Sequence, residues 1–335
     1  MKVKLFILSI SISIVALLTS ACGSSEGSSS GLFQSHISGP TASGWYPLSV
    51  LLSDIWMDEI EGMNMTVVEG GAIGNIRDVN SGRDVQSGIA FASDFADARQ
   101  GIGAFEDDKQ ENVMAIGTLY PNWWNFAVLD NSSIETLEDF IEQGGHLAPG
   151  QHGDASAQTA QRVFRAMGYE FEDLEESGSR VTFENYGDAL NQLRDGLIDM
   201  VVQGGAPNAT GLSEIDSTRP VRLISIPDDV LQKLDEEDYG YTIDMDLPAN
   251  TYKNQTEDIS TVVTMALLIV NKDMDEEVVY EMTKSLWENL DRINEEQPTR
   301  GKWFDPEVGY SEVYDPENTL HPGALRYYQE IGVAE

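Results

Sequence analysis

The chain of 335 residues has a single cysteine, Cys22, so no internal disulfide can brace it. Basic residues are scarce: 20 Lys and Arg stand against 57 Asp and Glu, a net charge of −37. This argues against nucleic acid as a partner, because phosphates need basic patches. The acid is spread through the chain, as in Asp235-Glu236-Glu237-Asp238 and Asp273 to Glu277, and reads as a solvated surface. Such a surface suits a salty medium, where screening removes the self-repulsion. Histidine is also rare. His36, His146, His152 and His321 lie far apart without zinc spacing, and no EF-hand pattern occurs, so neither metal nor cofactor is expected. Beyond the first 21 residues no apolar run is long enough to cross a membrane.

Those first residues carry their own signal. A basic start, Met1-Lys2-Val3-Lys4, precedes an apolar run from Leu5 to Leu18 and a small-residue exit at Thr19-Ser20-Ala21. This is the form of a cleaved export signal peptide, residues 1–21, too short to span a membrane and stay. Cys22 directly after it resembles the cysteine of a bacterial lipobox, with Thr19 standing where an aliphatic residue is preferred. Cleavage before Cys22 and a lipid on its sulfur are therefore expected. Residues 22–31 form a flexible Gly/Ser tether. Their formal G-x-S-x-G match, Gly27 to Gly31, lacks the flanking strand and helix that a serine nucleophile needs. Losing Lys2 and Lys4 with the signal leaves 18 basic and 57 acidic residues, a net −39.

The remaining ~300 residues exceed one ordinary core and suggest two lobes. Leu32, Phe33 and Ile37 lead into the loop Ser38 to Pro47, and an amphipathic helix from Pro47 places Leu48, Leu51, Leu52 and Ile55 on one face. Small residues in the loop let backbone N–H groups approach a bound molecule, with Trp45 and Tyr46 as a wall. The helix N-terminus favours a carboxylate or polar oxygen. A second loop, Gly70 to Asn75, follows a strand at Thr66 to Glu69. A third, Ala92-Ser93-Asp94, follows Gly88 to Phe91. Repetition of strand, loop and helix indicates a parallel sheet with helices on its faces, where ligands collect beyond the carboxyl ends of the strands. Val113 to Gly117 reads as a short strand and Tyr120 to Leu129 as a long aromatic one crossing between lobes. The β-branched run Thr261 to Val270 is able to pair with Trp124 to Leu129 and carry the chain back. Between them the loop device returns at Pro149 to Ser156 and at Gln203 to Asn208. Val278 to Ile293 reads as one helix, and Lys302 to Tyr314 as irregular.

Several short stretches, in common order over nearly the whole exported chain, resemble the TAXI-type solute receptors of TRAP transporters. Ser43-Gly44-Trp45-Tyr46-Pro47-Leu48 resembles the first-loop G-x-Y-Y-P-L, and Ala92-Ser93-Asp94 the family's Q-S-D. Asp188 to Asp199 is similar to A-x-x-L-x-D-G-x-I-D, Leu247 to Tyr252 to I-P-A-G-T-Y, and Leu320 to Tyr328 to L-H-P-G-A-x-R-Y-Y. The resemblance implies an α/β, two-lobed periplasmic-binding-protein-like (type II) fold, each lobe a central sheet flanked by helices, with a two-strand hinge. It implies lobe I at 32–125 and 263–335 and lobe II at 126–262. It also implies capture of a small polar metabolite, of amino acid or organic acid class, and delivery to an ion-gradient-driven TRAP permease. The place of work would be the outer face of the bacterial cell membrane, or the periplasm. At the family's G-S-G-T-E-x-T-A loop this chain departs: Asp154 stands at the Ser position, Ala155 at Gly and Ala157 at Glu. A negative side chain there repels a carboxylate. Either Asp154 receives an amine or cation, or it points away.

The ligand-binding candidates are Ser43, Tyr46, Gly71, Asn75, Ser93, Asp94, Trp124, Asp154, Ser156, Gln203 and Asn208. Asn75 and Ser93 would serve equally well as helix caps. Trp123 and Trp124 alternate faces in a strand, so one lines the cleft and the other packs. Two other functional classes share these features: a stand-alone sensor domain, and an enzyme with Asp94 or Asp154 as acid/base. No nucleophile–base pair at a recognisable spacing supports the enzyme.

Overall fold

Strands and helices alternate from the start of the body. In the computed structural model, which describes residues 32–39, 41, 43–205 and 209–335, the order is β1 (Leu32–Ile37), α1 (Trp45–Glu59), β2 (Met63–Val68), α2 (Ala72–Ser81), β3 (Ser87–Phe91) and α3 (Ala92–Gln100). The export signal, Cys22, the tether and Asn208 lie outside the described residues. β1 runs parallel to both β2 and β3, as strand–helix–strand crossovers dictate. α1 starts two residues before Pro47 and buries Leu48, Leu52, Ile55 and Trp56 completely.

The chain continues through β4 (Val113–Leu129), α4 (Leu137–Gln143), β5 (His146–Ala148), α5 (Ala155–Ala166), β6 (Arg180–Val181), β7 (Met200–Gly205), β8 (Val221–Leu223) and β9 (Val263–Asn271). All nine strands among the described residues share one sheet, ordered β2-β1-β3-β9-β4-β7-β5-β6, with β8 paired to β4. β4 is one strand of 17 residues where the sequence suggested two. Register shifts between Ala115 and Gly117, and between Thr118 and Pro121, absorb the irregularity that the sequence showed as a gap. Pro121 is tolerated there because a bulge needs no ladder donor from it.

The pairing of β9 differs from the sequence expectation. β9 lies along Val113 to Trp123 rather than Trp124 to Leu129. A strand has only two edges. Trp123 pairs with Val263 of β9 on one and with Gly205 of β7 on the other, after which β8 takes over β9's edge at Ala127 to Leu129. Both long strands are buried on both faces, which is why they read as near-continuous apolar runs.

Side chains on β4 alternate between separate cores. Trp124, Phe126 and Val128 pack with Phe140 and Phe164, whereas Trp123, Ala127 and Leu129 pack with Leu193 and Leu212 on the other face. A third core joins Trp56, Ile89, Leu268, Leu286 and Tyr328. The C-terminal region is more ordered than its composition suggested: Asp305 accepts from the N–H groups of Glu307 and Val308, capping a helix at Pro306–Ser311. Conversely, the Val278 to Ile293 pattern is two helices, broken at Asn289. No helix among the described residues is long and apolar enough to cross a membrane.

Candidate functional site

Phe91 closes β3 at the middle of an aromatic row. Its ring lies 4.7 Å from Trp45 of α1 and 5.4 Å from Trp124 of β4, so the start of α1 and the middle of β4 meet across it. Trp124 is seated on Gly204 of β7, where a Cβ would approach the indole to 2.4 Å. Only glycine leaves room for that ring.

The chain turns directly from Phe91 into α3, placing Ser93 and Asp94 in its first turn. The Ser93 N–H donates to Thr264 Oγ1 at 3.2 Å, and that hydroxyl donates to Ser93 Oγ at 3.0 Å, pinning α3 to β9. Asp94 is 2% exposed and its Oδ2 has no partner. Burial pushes its carboxyl up to about 7, the negative charge of Asp97 adds to this, and Arg162 opposes it. One turn on, Asp97 takes both of its oxygens to Arg162 Nη2, at 2.6 and 2.7 Å. Arg162 belongs to α5, so this ion pair links α3 to α5.

At the start of α5, Ser156 is fully buried. It presses on Gly150, whose φ of 119° is open to glycine alone and whose Cβ would meet the Ser156 oxygen at 2.3 Å. Asp154 accepts from the Gln151 N–H at 2.9 Å and makes no side-chain cap to α5. Tyr186, which the sequence reading missed, joins the same group. Burial pushes its phenol up to about 12; the Ser156 side chain, in hydrogen-bonding contact with it, opposes this, and the carboxylates of Asp154 and Asp94 add to it. The only sequence signal for it was its place directly after the Asn185 cap.

α1, α2, α3 and α5 all begin without a side-chain cap, whereas Asn185 caps the helix that carries Tyr186. Uncapped N-termini have backbone donors to offer a guest.

The remaining candidates divide. Ser43 has a buried, unpartnered Oγ in the first loop, beside Gly39 and Trp45. Next to it, Arg300 packs on Gly44 and 5.6 Å over the Tyr120 ring, with Nε unpartnered; it too escaped the sequence reading. Tyr46 is half-buried at the start of α1. Asn75 is fully committed to the backbone: Oδ1 accepts from the Gly71 N–H, and Nδ2 donates to the carbonyls of Ser38 and Ile89 at 2.7 Å. Gly71 and Asn75 thus staple the second loop instead of facing the Asp94 group. Gln203 sits in β7 rather than a loop, paired with Asn125, on the opposite face from Trp124. Its Oε1 and Asn125 Oδ1 are buried without partners. Two open depressions, of about 470 and 610 Å³, share Gly103, Gln158 and Gln161 and flank the Asp97–Arg162 pair; Asp94, Trp124 and Ser156 are buried. Among the described residues no group of three or more His, Cys, Asp or Glu could hold a metal.

Solved structures share this architecture. A periplasmic transporter aligns with a TM-score of 0.54 at 14% identity, covering 91% of this chain and 99% of its own. MatC from Rhodopseudomonas palustris, with bound malate, aligns at 0.53 and 13%, covering 86% and 98%. The periplasmic binding protein BugD aligns at 0.51 and 14%, covering 90% and 98%. The fold is therefore the α/β periplasmic-binding-protein fold of type II, and these neighbours are transport and binding proteins rather than enzymes. The sequence profile of the NMT1-like family matches residues 37–332. The chain belongs to the NMT1-like family, the TAXI-type, TRAP-associated solute-binding proteins.

Proposed function

We propose that the chain is an extracytoplasmic receptor that closes on a small polar metabolite and hands it to a TRAP membrane permease. Lobe I would comprise 32–125 and 263–335, lobe II 126–262, with β4 and β9 as the hinge strands. Cys22 would carry the lipid that holds the receptor at the membrane. One observation carries the reading: Asp94 Oδ2, in the first turn after Phe91, and Trp124 Nε1, whose ring packs on Phe91, are both buried and unpartnered. Buried polar groups are ordinarily paired, so the two mark a place for a guest. Hinge closure around a ligand is the established motion of such a fold.

The test is a thermal-shift screen of the purified protein in molar salt against amino acids, mono- and dicarboxylates and polar amines. A ligand at 100 times its Kd adds ~2.7 kcal/mol to stability. A shift with one class, and recovery of that compound unchanged, supports a receptor. Conversion of the compound would indicate an enzyme instead. Stimulated uptake only when the permease is co-reconstituted separates a transport receptor from a sensor domain.

A further inference from the structure

The unpartnered atoms of the group call for a guest of definite polarity. Ionised Asp94 can only accept and Trp124 Nε1 can only donate, while the Ser156 hydroxyl is already in hydrogen-bonding contact with Tyr186. The charged groups acting on Asp94 are Asp97 and Arg162. Arg162 is already matched: Nη2 binds both Asp97 oxygens, Nη1 donates to Tyr241 at 3.2 Å, and the guanidinium lies 3.8 Å over the Tyr239 ring. Near Asp94 stands Tyr186, a neutral phenol on which the carboxylates of both Asp94 and Asp154 act. What the group lacks opposite Asp94 is a donor that carries positive charge. A dicarboxylate would bring a further negative charge beside two carboxylates.

We propose, building on the receptor reading, that the ligand presents a protonated amine to Asp94, with an acceptor for Trp124 Nε1, and that Asp94 makes the site reject dicarboxylates. Asp94 holds a proton in the ligand-free protein because burial disfavours its charge. An ammonium group placed against it reverses that preference, so binding below neutral pH expels the proton.

Titration calorimetry of the wild-type protein in molar KCl tests this, with glycine, L-glutamine, L-lysine and putrescine as amine probes and succinate and malate as dicarboxylate probes. The expected result is binding of at least one amine and of neither dicarboxylate. At pH 6 that binding should release close to one proton, read from heats in two buffers of different ionisation enthalpy. Asp94→Asn, shown folded by circular dichroism, should weaken the amine at least tenfold and abolish the release. Binding of succinate or malate without any amine overturns the proposal while the receptor reading stands. So does amine binding without proton release in the wild type, or with undiminished affinity in Asp94→Asn. Binding of no probe, by protein freed of carried-over ligand through unfolding and refolding, counts against both.

Discussion

Arg162 Nη2 stands 2.6 Å from Asp97 Oδ1, and both side chains are buried, at 6% and 1% exposure. Every other ion pair among the described residues has both partners at least 36% exposed. The pair is therefore the one charge contact whose loss should be felt strongly, because removing one partner strands the other in low dielectric. Arg162→Met is expected to cost about 3–5 kcal/mol in urea unfolding, and Asp97→Asn/Arg162→Met to recover part of it. It also ties α3 to α5, one turn after Asp94 and nearly two turns after Ser156, so Arg162→Met should open the protein and lower ligand affinity. A variant within 1 kcal/mol of wild type, with unchanged small-angle scattering, would remove the pair as a strut.

Gly204 offers a sharper probe of the aromatic wall. A methyl group there would lie 2.4–2.9 Å from three carbons of the Trp124 indole, which has no flexible end to yield. Gly204→Ala should destabilise by about 1–3 kcal/mol through overpacking, shift tryptophan emission, and abolish ligand binding. Gly74→Ala is the control: it meets nothing within 4 Å and sits in α2. That substitution should leave binding intact and be neutral or mildly stabilising.

What the sequence disclosed follows from which forces are local. Leu48, Leu51, Leu52 and Ile55 announce α1 by period alone, whereas Ala92-Ser93-Asp94, read as a loop with Ser93 able to cap, is the first turn of α3 behind a Phe91 N-cap. Pairing between distant strands is not local, so β9 was set against the wrong half of β4. Asn75 and Asp94 looked alike as polar loop residues. Only the fold shows that Asn75 is consumed by Ser38 and Ile89 while Asp94 Oδ2 is left over. Tyr186 and Arg300 reach the region from elements far off in sequence, carrying no motif of their own. Asp154, conspicuous as a departure from the family's loop, bonds to Gln151 while its charge still reaches Tyr186.

The pH dependence of stability should expose Asp94. Its carboxyl titrates at about 7 in the folded protein because of burial, against about 3.9 in an unfolded chain. Between those values the folded state holds a proton that the unfolded state has released, so this group's contribution falls as pH rises, by about 1.4 kcal/mol per unit. His36 acts in the opposite sense over part of the range: burial holds its imidazole down to about 3, so stability is lost as pH falls below about 6.5. Ligand-free Asp94→Asn should match wild type near pH 4 and become progressively more stable than it up to pH 7, with a constant gap above. Parallel curves for the two proteins from pH 5 to 8 would mean that Asp94 is not buried as a proton-holding group.

Salt should matter as much as pH. A net charge of −37 on 335 residues, with most carboxylates beyond the reach of the few basic groups, stores repulsion that is relieved on unfolding. Raising KCl from 0.1 to 1 M shortens the screening length from about 10 to 3 Å, so Tm should climb steeply over that interval. Screening then has little more to give, and the curve should flatten beyond about 1 M. Salts excluded from protein surfaces, such as sulfate, act by strengthening burial and continue to stabilise as they are added. Comparing KCl with potassium sulfate at equal ionic strength therefore separates the two causes. Equal curves that saturate together assign the effect to charge, whereas a Tm indifferent to KCl below 1 M would show that the acidic surface costs the fold nothing.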